Sequence, residues 1–343
     1  MARRLVYMTN ESMNWNKTEY PFLLKPVGKD YLWGGSRLND DFSKNLPVSP
    51  LAETWECSTH EAGICEIGSG SFEGQSLKEV LKTYPQMLGR HANPNGELPI
   101  LVKLIDAKED LSIQVHPDDE YAFEHENGSL GKTEMWYVLY AAPGSEIVYG
   151  FKEDTTKEEV AGALRENRID SMLQHVPIKK DQVFFVPPGT VHGIGKGALL
   201  AEVQESSDIT YRLYDYDRVG KDGKKRELHI EKALEVMDYA RKDSPRQPIR
   251  VLKYTMGSAS EILNRCKYFQ TERLLMNTER CREYMSFPQL AETFQILLCT
   301  DGCGVLHAGN ETLDIFRGDC IFIPAGEKIM KLHGMAQFLK VRC

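Results

Sequence analysis

The chain repeats itself once. Glu134-Met-Trp-Tyr-Val-Leu-Tyr-Ala-Ala-Pro-Gly144 aligns without gaps on Glu292-Thr-Phe-Gln-Ile-Leu-Leu-Cys-Thr-Asp-Gly302, and Val183-Phe-Phe-Val-Pro-Pro-Gly189 aligns on Cys320-Ile-Phe-Ile-Pro-Ala-Gly326. Each pair is an apolar, aromatic or β-branched run closed by Pro or Gly, the pattern of a strand entering a turn. Two copies in the same order point to two small β-barrels of one design, the first carrying a helix inserted at 152–174. The expected fold is mainly β with a few helices. A polar, loosely held extension covers 1–20, a first unit 21–245 and a second unit 246–343, with K-D-S-P-R-Q-P (242–248) as linker. A length of 343 residues suffices for two cores. Helical spacing predicts helices over Gln75–Leu88 with Ser76 as N-cap, from Thr155-Thr156 to about Leu173, and over Leu228–Arg241.

The stretch Ser112–Trp136 carries the chemistry. Leu111, Ile113 and Val115 alternate with Ser112, Gln114 and His116, so an apolar set faces a core while Gln114 and His116 project together. Same-face neighbours lie roughly 7 Å apart, within reach of one ion. Lys132-Thr133-Glu134 opens a second strand, with Lys132 and Glu134 on one face. Pro187-Pro188-Gly189-Thr190-Val191-His192 follows the apolar strand Val183–Val186 and delivers another imidazole. Gln114, His116, Glu134 and His192 form an N/O donor set suited to zinc or a similar divalent ion. The second copy places Ile329 where the first has His192, so no equivalent metal site is expected there.

A net charge of −8 disfavours nucleic acid as a partner and requires any anionic substrate to find a locally basic pocket. No apolar run approaches the roughly 20 residues of a membrane span, and the start has no long apolar stretch of a signal peptide. The eight cysteines are scattered, and Cys299 and Cys303 do not form a CxxC pair. That usage fits reduced thiols in a cytoplasmic protein and argues against thiolate-bound zinc.

The motifs S-I-Q-V-H-P-D-D, K-T-E-M-W-Y-V-L, P-P-G-T-V-H-G-I-G and T-Y-R-L-Y-D-Y-D-R, in this order across roughly residues 21–343, resemble type I mannose-6-phosphate isomerases of the cupin superfamily, most closely the short bacterial subgroup. Against the general cupin pattern, Gln114 replaces a histidine, Glu134 lies on a separate strand, and Asp181 stands where Gly is common. The first two departures are features of this isomerase family. The resemblance implies two cupin-like jelly-roll barrels, a catalytic metal-binding one at 21–245 and a metal-free one at 246–343. It implies one Zn2+ per chain on Gln114, His116, Glu134 and His192. Arg212 and Lys132 would be catalytic, and Lys103, Ser112 and Arg218 would hold the substrate phosphate. The implied reaction interconverts mannose 6-phosphate and fructose 6-phosphate through a cis-enediol. Lys132, Asp118, Asp119 and a water at the ion all stay open as the base. A cupin metalloenzyme acting on another sugar phosphate and a non-enzymatic sugar-phosphate sensor are the alternatives. The expected state is a cytoplasmic monomer or small homo-oligomer, with no nucleic-acid or membrane partner.

Overall fold

Alternating and continuous apolar runs give strands along most of the chain, in a computed structural model that describes residues 15–220 and 223–343. The strands of the first part are β1 (Phe22–Lys25), β2 (Val27–Lys29), β3 (Glu53–Cys57), β4 (Glu66–Ile67), β5 (Ile100–Ala107), β6 (Ile113–Val115), β7 (Glu134–Ala141), β8 (Glu146–Phe151), β9 (Leu173–Pro177), β10 (Val183–Val186), β11 (His192–Ile194), β12 (Ala198–Glu205) and β13 (Tyr211–Tyr214). The C-terminal part supplies β14 (Lys253–Thr255), β15 (Ser258–Arg265), β16 (Gln270–Asn277), β17 (Met285–Pro288), β18 (Gln295–Ala308), β19 (Glu311–Phe316), β20 (Cys320–Ile323) and β21 (Ile329–Arg342). The helices are α1 (Arg37–Asp40), α2 (Leu77–Thr83), α3 (Asp119–His125), α4 (Lys157–Arg165) and α5 (Ile230–Val236).

The strands form three sheets. One has the order β10-β7-β12-β5-β3-β2, a second β13-β6-β11-β8-β9, and a third, ten-stranded, β14-β15-β16-β21-β18-β20-β1-β4 with β17 and β19 paired at its side. The expected mainly β, cupin-like architecture is found, with the sheets stacked and open at their edges. The six-stranded sheet is the middle layer. One of its faces, with Val102, Leu104, Tyr137 and Val203, packs on Phe294, Ile296, Phe322 and Leu339 of the ten-stranded sheet. Its other face, with Ile105, Trp136, Phe184 and Leu200, packs on Leu111, Ile147 and Ile194 of the five-stranded sheet. Helices α4 and α5 cover the outer side of that sheet through Val160, Ala163, Ala233 and Leu234.

The repeat survives as strand pairing but not as register. Strand β10 pairs with β7, and its echo β20 pairs with β18; yet Val186 faces Glu134, whereas Ile323 faces Gln295 rather than Glu292. Ile329 opens β21 and is exposed. Strand β1 hydrogen-bonds to β20, so residues 22–25 lie in the sheet otherwise built mainly from the C-terminal part.

Three expected helices are shorter than their apolar spacing. The 155–173 helix keeps its capping box, with Thr156 and Glu159 satisfying each other's backbone, but ends at Arg165, where Asn167 takes a positive φ and Leu173 already starts β9. The 75–88 helix stops at Thr83 before Pro85, and Ser76 occupies the N-cap without a side-chain cap bond. The 228–241 helix spans only Ile230–Val236, because Met237 turns extended and Asp238 N donates to Gly189 O. The second strand begins at Glu134 rather than Lys132. Of the expected loose extension, residues 1–14 lie outside the described residues, and residues 15–20 are held in place. The Trp15 and Tyr20 rings meet at 4.9 Å, tilted, against the C-terminal core, and Gln289 donates to Glu19 O.

Candidate metal centre and active-site cleft

Strand alternation builds the site as two facing rows. On the six-stranded sheet Trp55, Lys103, Glu202, Trp136 and Phe184 are successive cross-strand partners, and Glu134 sits beside that row opposite Gln204. On the five-stranded sheet Arg212, Gln114 and His192 are successive partners. His116 lies two residues beyond Gln114 on the same face.

The imidazoles and the carboxylate converge. Ligand atoms of His116, Glu134 and His192 all lie within 4.8 Å of one another, and all three residues are buried. Each ring is oriented from behind: His116 Nδ1 lies 2.8 Å from Ile209 O and His192 Nδ1 lies 2.8 Å from Thr190 O. Donating there leaves each Nε2 lone pair facing inward, the usual support of a metal-ligating histidine. His116 Nε2 is 3.2 Å from Glu134 Oε1, and His192 Nε2 is 3.5 Å from Glu134 Oε2. Gln114 Nε2 stands 3.4 Å from His192 Nε2, and a half-turn of its amide presents Oε1 instead.

These residues fit a divalent cation. Burial, reinforced by the Lys132 charge, pushes His116 down to about 3, and burial also lowers His192. Burial alone would raise the Glu134 pKa, but the Lys132 charge above all holds it well below the usual carboxylate range. Two neutral rings therefore aim lone pairs at an ionised carboxylate, and neither buried Glu134 oxygen accepts a well-formed hydrogen bond. The Lys132 ammonium, 3.0 Å from Glu134 Oε1 and 3.3 Å from His116 Nε2, offsets only one side of this arrangement. A second positive charge among the Nε2 and Oε atoms removes the remaining repulsion.

The cleft beside the cluster, about 160 Å³, is lined by Ser112, Gln114, Lys132, Lys103, Arg212, Arg226, Glu53 and Glu202 among others. Lys103 does not snorkel outward. It is 5% exposed, with Nζ 3.2 Å from Glu202 Oε1 and 3.9 Å from Glu53 Oε2. Burial would lower its pKa, but Glu202, Glu53 and Glu134 outweigh that and raise it. Indole N–H groups fix both acids, Trp136 Nε1 donating to Glu202 Oε2 at 2.7 Å and Trp55 Nε1 to Glu53 Oε2 at 2.9 Å. Burial raises the pKa of Glu202, and the neighbouring Glu134 charge adds to the shift. Arg212 leaves a buried Nε without a partner, and its pKa is lowered by burial first and by the like charge of Arg226 second.

Arg218 is not brought to the cleft. Its guanidinium donates to the Asp215 carboxylate and to Asp110 O, beside a separate cavity that Asp110 and Tyr216 line. Arg226 takes the place in the cleft, although it lies in a basic run (Lys221, Lys224, Lys225, Arg226) that reads from sequence as a solvated loop; Lys221 is outside the described residues. Glu202 was also missed, and a signal existed: like Lys103, it interrupts an otherwise apolar run of strand residues. Asp118 and Asp119 are committed elsewhere. Asp118 caps α3 by accepting from Tyr121 N, and Asp119 accepts from Tyr268 Oη and Gly131 N.

The model of the type I phosphomannose isomerase catalytic domain matches residues 22–175, and that of the mannose-6-phosphate isomerase cupin domain matches 265–343. Mannose-6-phosphate isomerase ManA of Bacillus subtilis is 36% identical over 320 residues, covering 93% of this chain and 98% of the relative. The probable mannose-6-phosphate isomerase GmuF of the same organism is 43% identical over 321 residues, with the same coverage of each. The crystal structure of the Bacillus subtilis mannose 6-phosphate isomerase superposes with a TM-score of 0.85 at 31% identity, covering 94% of this chain and 99% of that one. The apo mannose 6-phosphate isomerase of Salmonella typhimurium, at 17% identity and a TM-score of 0.70 with 94% and 98% coverage, shares the fold. Matched along nearly its whole length by such relatives, the chain belongs to the type I phosphomannose isomerase family.

Proposed function

We propose that the protein interconverts mannose 6-phosphate and fructose 6-phosphate, with one Zn2+ per chain held by His116, His192, Glu134 and Gln114. The observation that carries this reading is the buried carboxylate of Glu134, ionised between two inward lone pairs, beside a cleft that Gln114, Lys132 and two guanidinium groups line. When bound, the ion supplies Lewis-acid stabilisation of the oxyanion that develops as the C–H bond beside the carbonyl breaks. Zinc suits a step without redox change.

The chain's own residues do the rest. Arg212, next to Gln114 in the cross-strand row, spreads the developing negative charge at the reacting end. Lys132 Nζ, the amino group nearest the ligands, is placed to carry the proton: as the neutral amine it takes the proton from the breaking C–H bond, and as the ammonium so formed it returns it to the neighbouring carbon. Ser112 and Lys103 face the same cleft, but the charge of Lys103 is already answered by Glu202. Arg226, whose nearest carboxylate contact is Asp215 at 3.5 Å, therefore takes the phosphate role that the resemblance gave to Arg218. Trp33, Leu111 and Ile194 supply the apolar walls that thin the water around these charges.

Residues 21–245 form the catalytic unit and 246–343 the metal-free one in this reading. Free cysteines fit a cytoplasmic setting. Among the described residues no helix is long and apolar enough to cross a membrane. The test is a coupled assay of zinc-loaded protein with mannose 6-phosphate beside a panel of other aldose phosphates. Conversion of mannose 6-phosphate with the highest kcat/KM is expected. No conversion by a folded protein carrying one ion per chain would overturn the assignment.

A further inference from the structure

The segment that delivers Lys132 and Glu134 to the site is fastened at every backbone donor, and each fastening comes from a different place. Gly131 N donates to Asp119 Oδ1 at 3.1 Å, Lys132 N to Pro117 O at 3.0 Å, and Thr133 N to Glu205 Oε1 at 2.8 Å. Glu205 N returns a bond to Thr133 O at 3.1 Å, and Ser207 Oγ donates to Leu130 O at 3.0 Å. The fit at Gly131 is tight: a Cβ there would stand 2.5 Å from Asp118 C and Asp119 N.

Asp119 is the junction. Its Oδ2 accepts from Tyr268 Oη at 2.7 Å and lies 3.4 Å from Lys267 Nζ, and its carboxylate is bonded to that of Glu205. Two acids in contact share a proton. Burial, with the Asp119 charge adding to it, pushes Glu205 up to about 7, while the bonds from Tyr268, Gly131 and Glu205 outweigh burial at Asp119 and lower it. Of the two acids, Glu205 thus holds its proton to the higher pH and Asp119 is the one that ionises first. Lys267 and Tyr268 belong to the turn between β15 and β16 of the ten-stranded sheet. Cys266 N closes that turn on Phe269 O, and Phe269 is buried in the core between the sheets.

We propose that Tyr268, acting through Asp119 and Glu205, is a positioning residue for catalysis: the C-terminal unit sets the placement of the Lys132–Glu134 segment against the two imidazoles. This deepens the isomerase reading and rests on it. It gives the second unit a task in the reaction without a site of its own. The Tyr268 hydroxyl is the one part of its turn that reaches Asp119 by a neutral O–H···O⁻ bond, so its removal loosens the junction while leaving the ring in place.

The experiment is Tyr268→Phe in the full chain, with two readouts. Under saturating Zn2+, kcat falls about tenfold with KM within about twofold, because the loss is felt at the reacting end rather than at the phosphate. In chelator competition, Zn2+ affinity weakens by roughly tenfold, as expected when an outer support of a metal ligand is removed. The thermal midpoint moves by no more than about 4 °C. In an Asp119→Ala background the same substitution changes neither quantity further, which shows that Tyr268 works through Asp119. Wild-type kcat and Zn2+ affinity in Tyr268→Phe overturn the inference, as does a loss that only tracks the folded fraction. A wild-type protein that leaves mannose 6-phosphate untouched defeats the isomerase reading instead, and the Zn2+ affinity of Tyr268→Phe then still decides this one.

Discussion

Replacing Glu205 by Gln should stabilise the protein at alkaline pH and change it little in acid. Glu205 is 1% exposed, accepts from Thr133 N and is bonded to the Asp119 carboxylate. Its pKa rises from 4.5 to about 7 on folding. The folded carboxyl thus keeps its proton to higher pH than the unfolded one. Across the window from about pH 4.5 to about 7 the folded state binds more protons, so this group's contribution to stability is complete at the acid end and is lost as pH rises. A shift of this size is worth roughly 3 kcal/mol at ~1.4 kcal/mol per unit, and the group is too buried for solvent screening to reduce it much. Gln copies the protonated acid. Its amide donates to Asp119 and its carbonyl accepts from Thr133 at every pH. Denaturant unfolding of both proteins at pH 5, 6, 7 and 8, with equal zinc loading, reads the difference directly. The Gln variant should exceed wild type by no more than about 1 kcal/mol at pH 5 and by roughly 3 kcal/mol at pH 8. A difference independent of pH, or a variant weaker than wild type at pH 8, would refute the placement of the proton on Glu205.

Other outcomes follow from the site and the core. His192→Ala should abolish zinc binding and turnover, while near-ultraviolet dichroism shows the C-terminal sheet intact, since that sheet packs on the opposite face of the middle layer. Arg212→Ala should lose turnover and keep the metal; loss of metal as well would make its role structural. Arg226→Ala should raise KM by about 10- to 100-fold, the worth of one charge-assisted bond of ~1.5–3 kcal/mol, whereas Arg218→Ala should leave KM near wild type. Phe322→Ala should cost about 3–5 kcal/mol in denaturant unfolding, because Phe322 is fully buried and stacks at 5.3 Å on Phe22 and 5.4 Å on Phe294.

What the sequence disclosed followed strand periodicity. The period of two puts Gln114 and His116 on one face without reference to anything distant, and the same rule places Glu134 and Trp136 together. Two such faces turned toward each other give the donor set. Helix ends were less legible, because apolar spacing continues past Arg165 and Val236 while the backbone is diverted by Asn167 and by the bond from Asp238 to Gly189. Loops were least legible. Arg218 and Arg226 both lie in one polar stretch with nothing periodic to orient them. Which of them enters the cleft depends on Asp215 and Asp110, met only in three dimensions. The junction at Asp119 was hidden for the same reason: Tyr268 lies 149 residues away along the chain.

The charges around the cleft explain how an acidic protein can take a dianionic substrate. Four cations, Lys103, Lys132, Arg212 and Arg226, stand against four carboxylates, Glu53, Glu134, Glu202 and Asp208, and the imidazoles of His116 and His192 are neutral. With each group in its ordinary charge state the set sums to zero, which is what a buried polar site needs when nothing is bound. A divalent ion at the imidazoles then leaves an excess of two positive charges. A phosphomonoester carries close to two negative ones at neutral pH. Each guest cancels the imbalance the other creates. Ion and sugar phosphate must therefore favour each other's binding, and by linkage the factor is the same in both directions. The net −8 of the whole chain does not oppose this, because its surface charges are screened over roughly 8–10 Å of salt solution, whereas those between the two sheets are not.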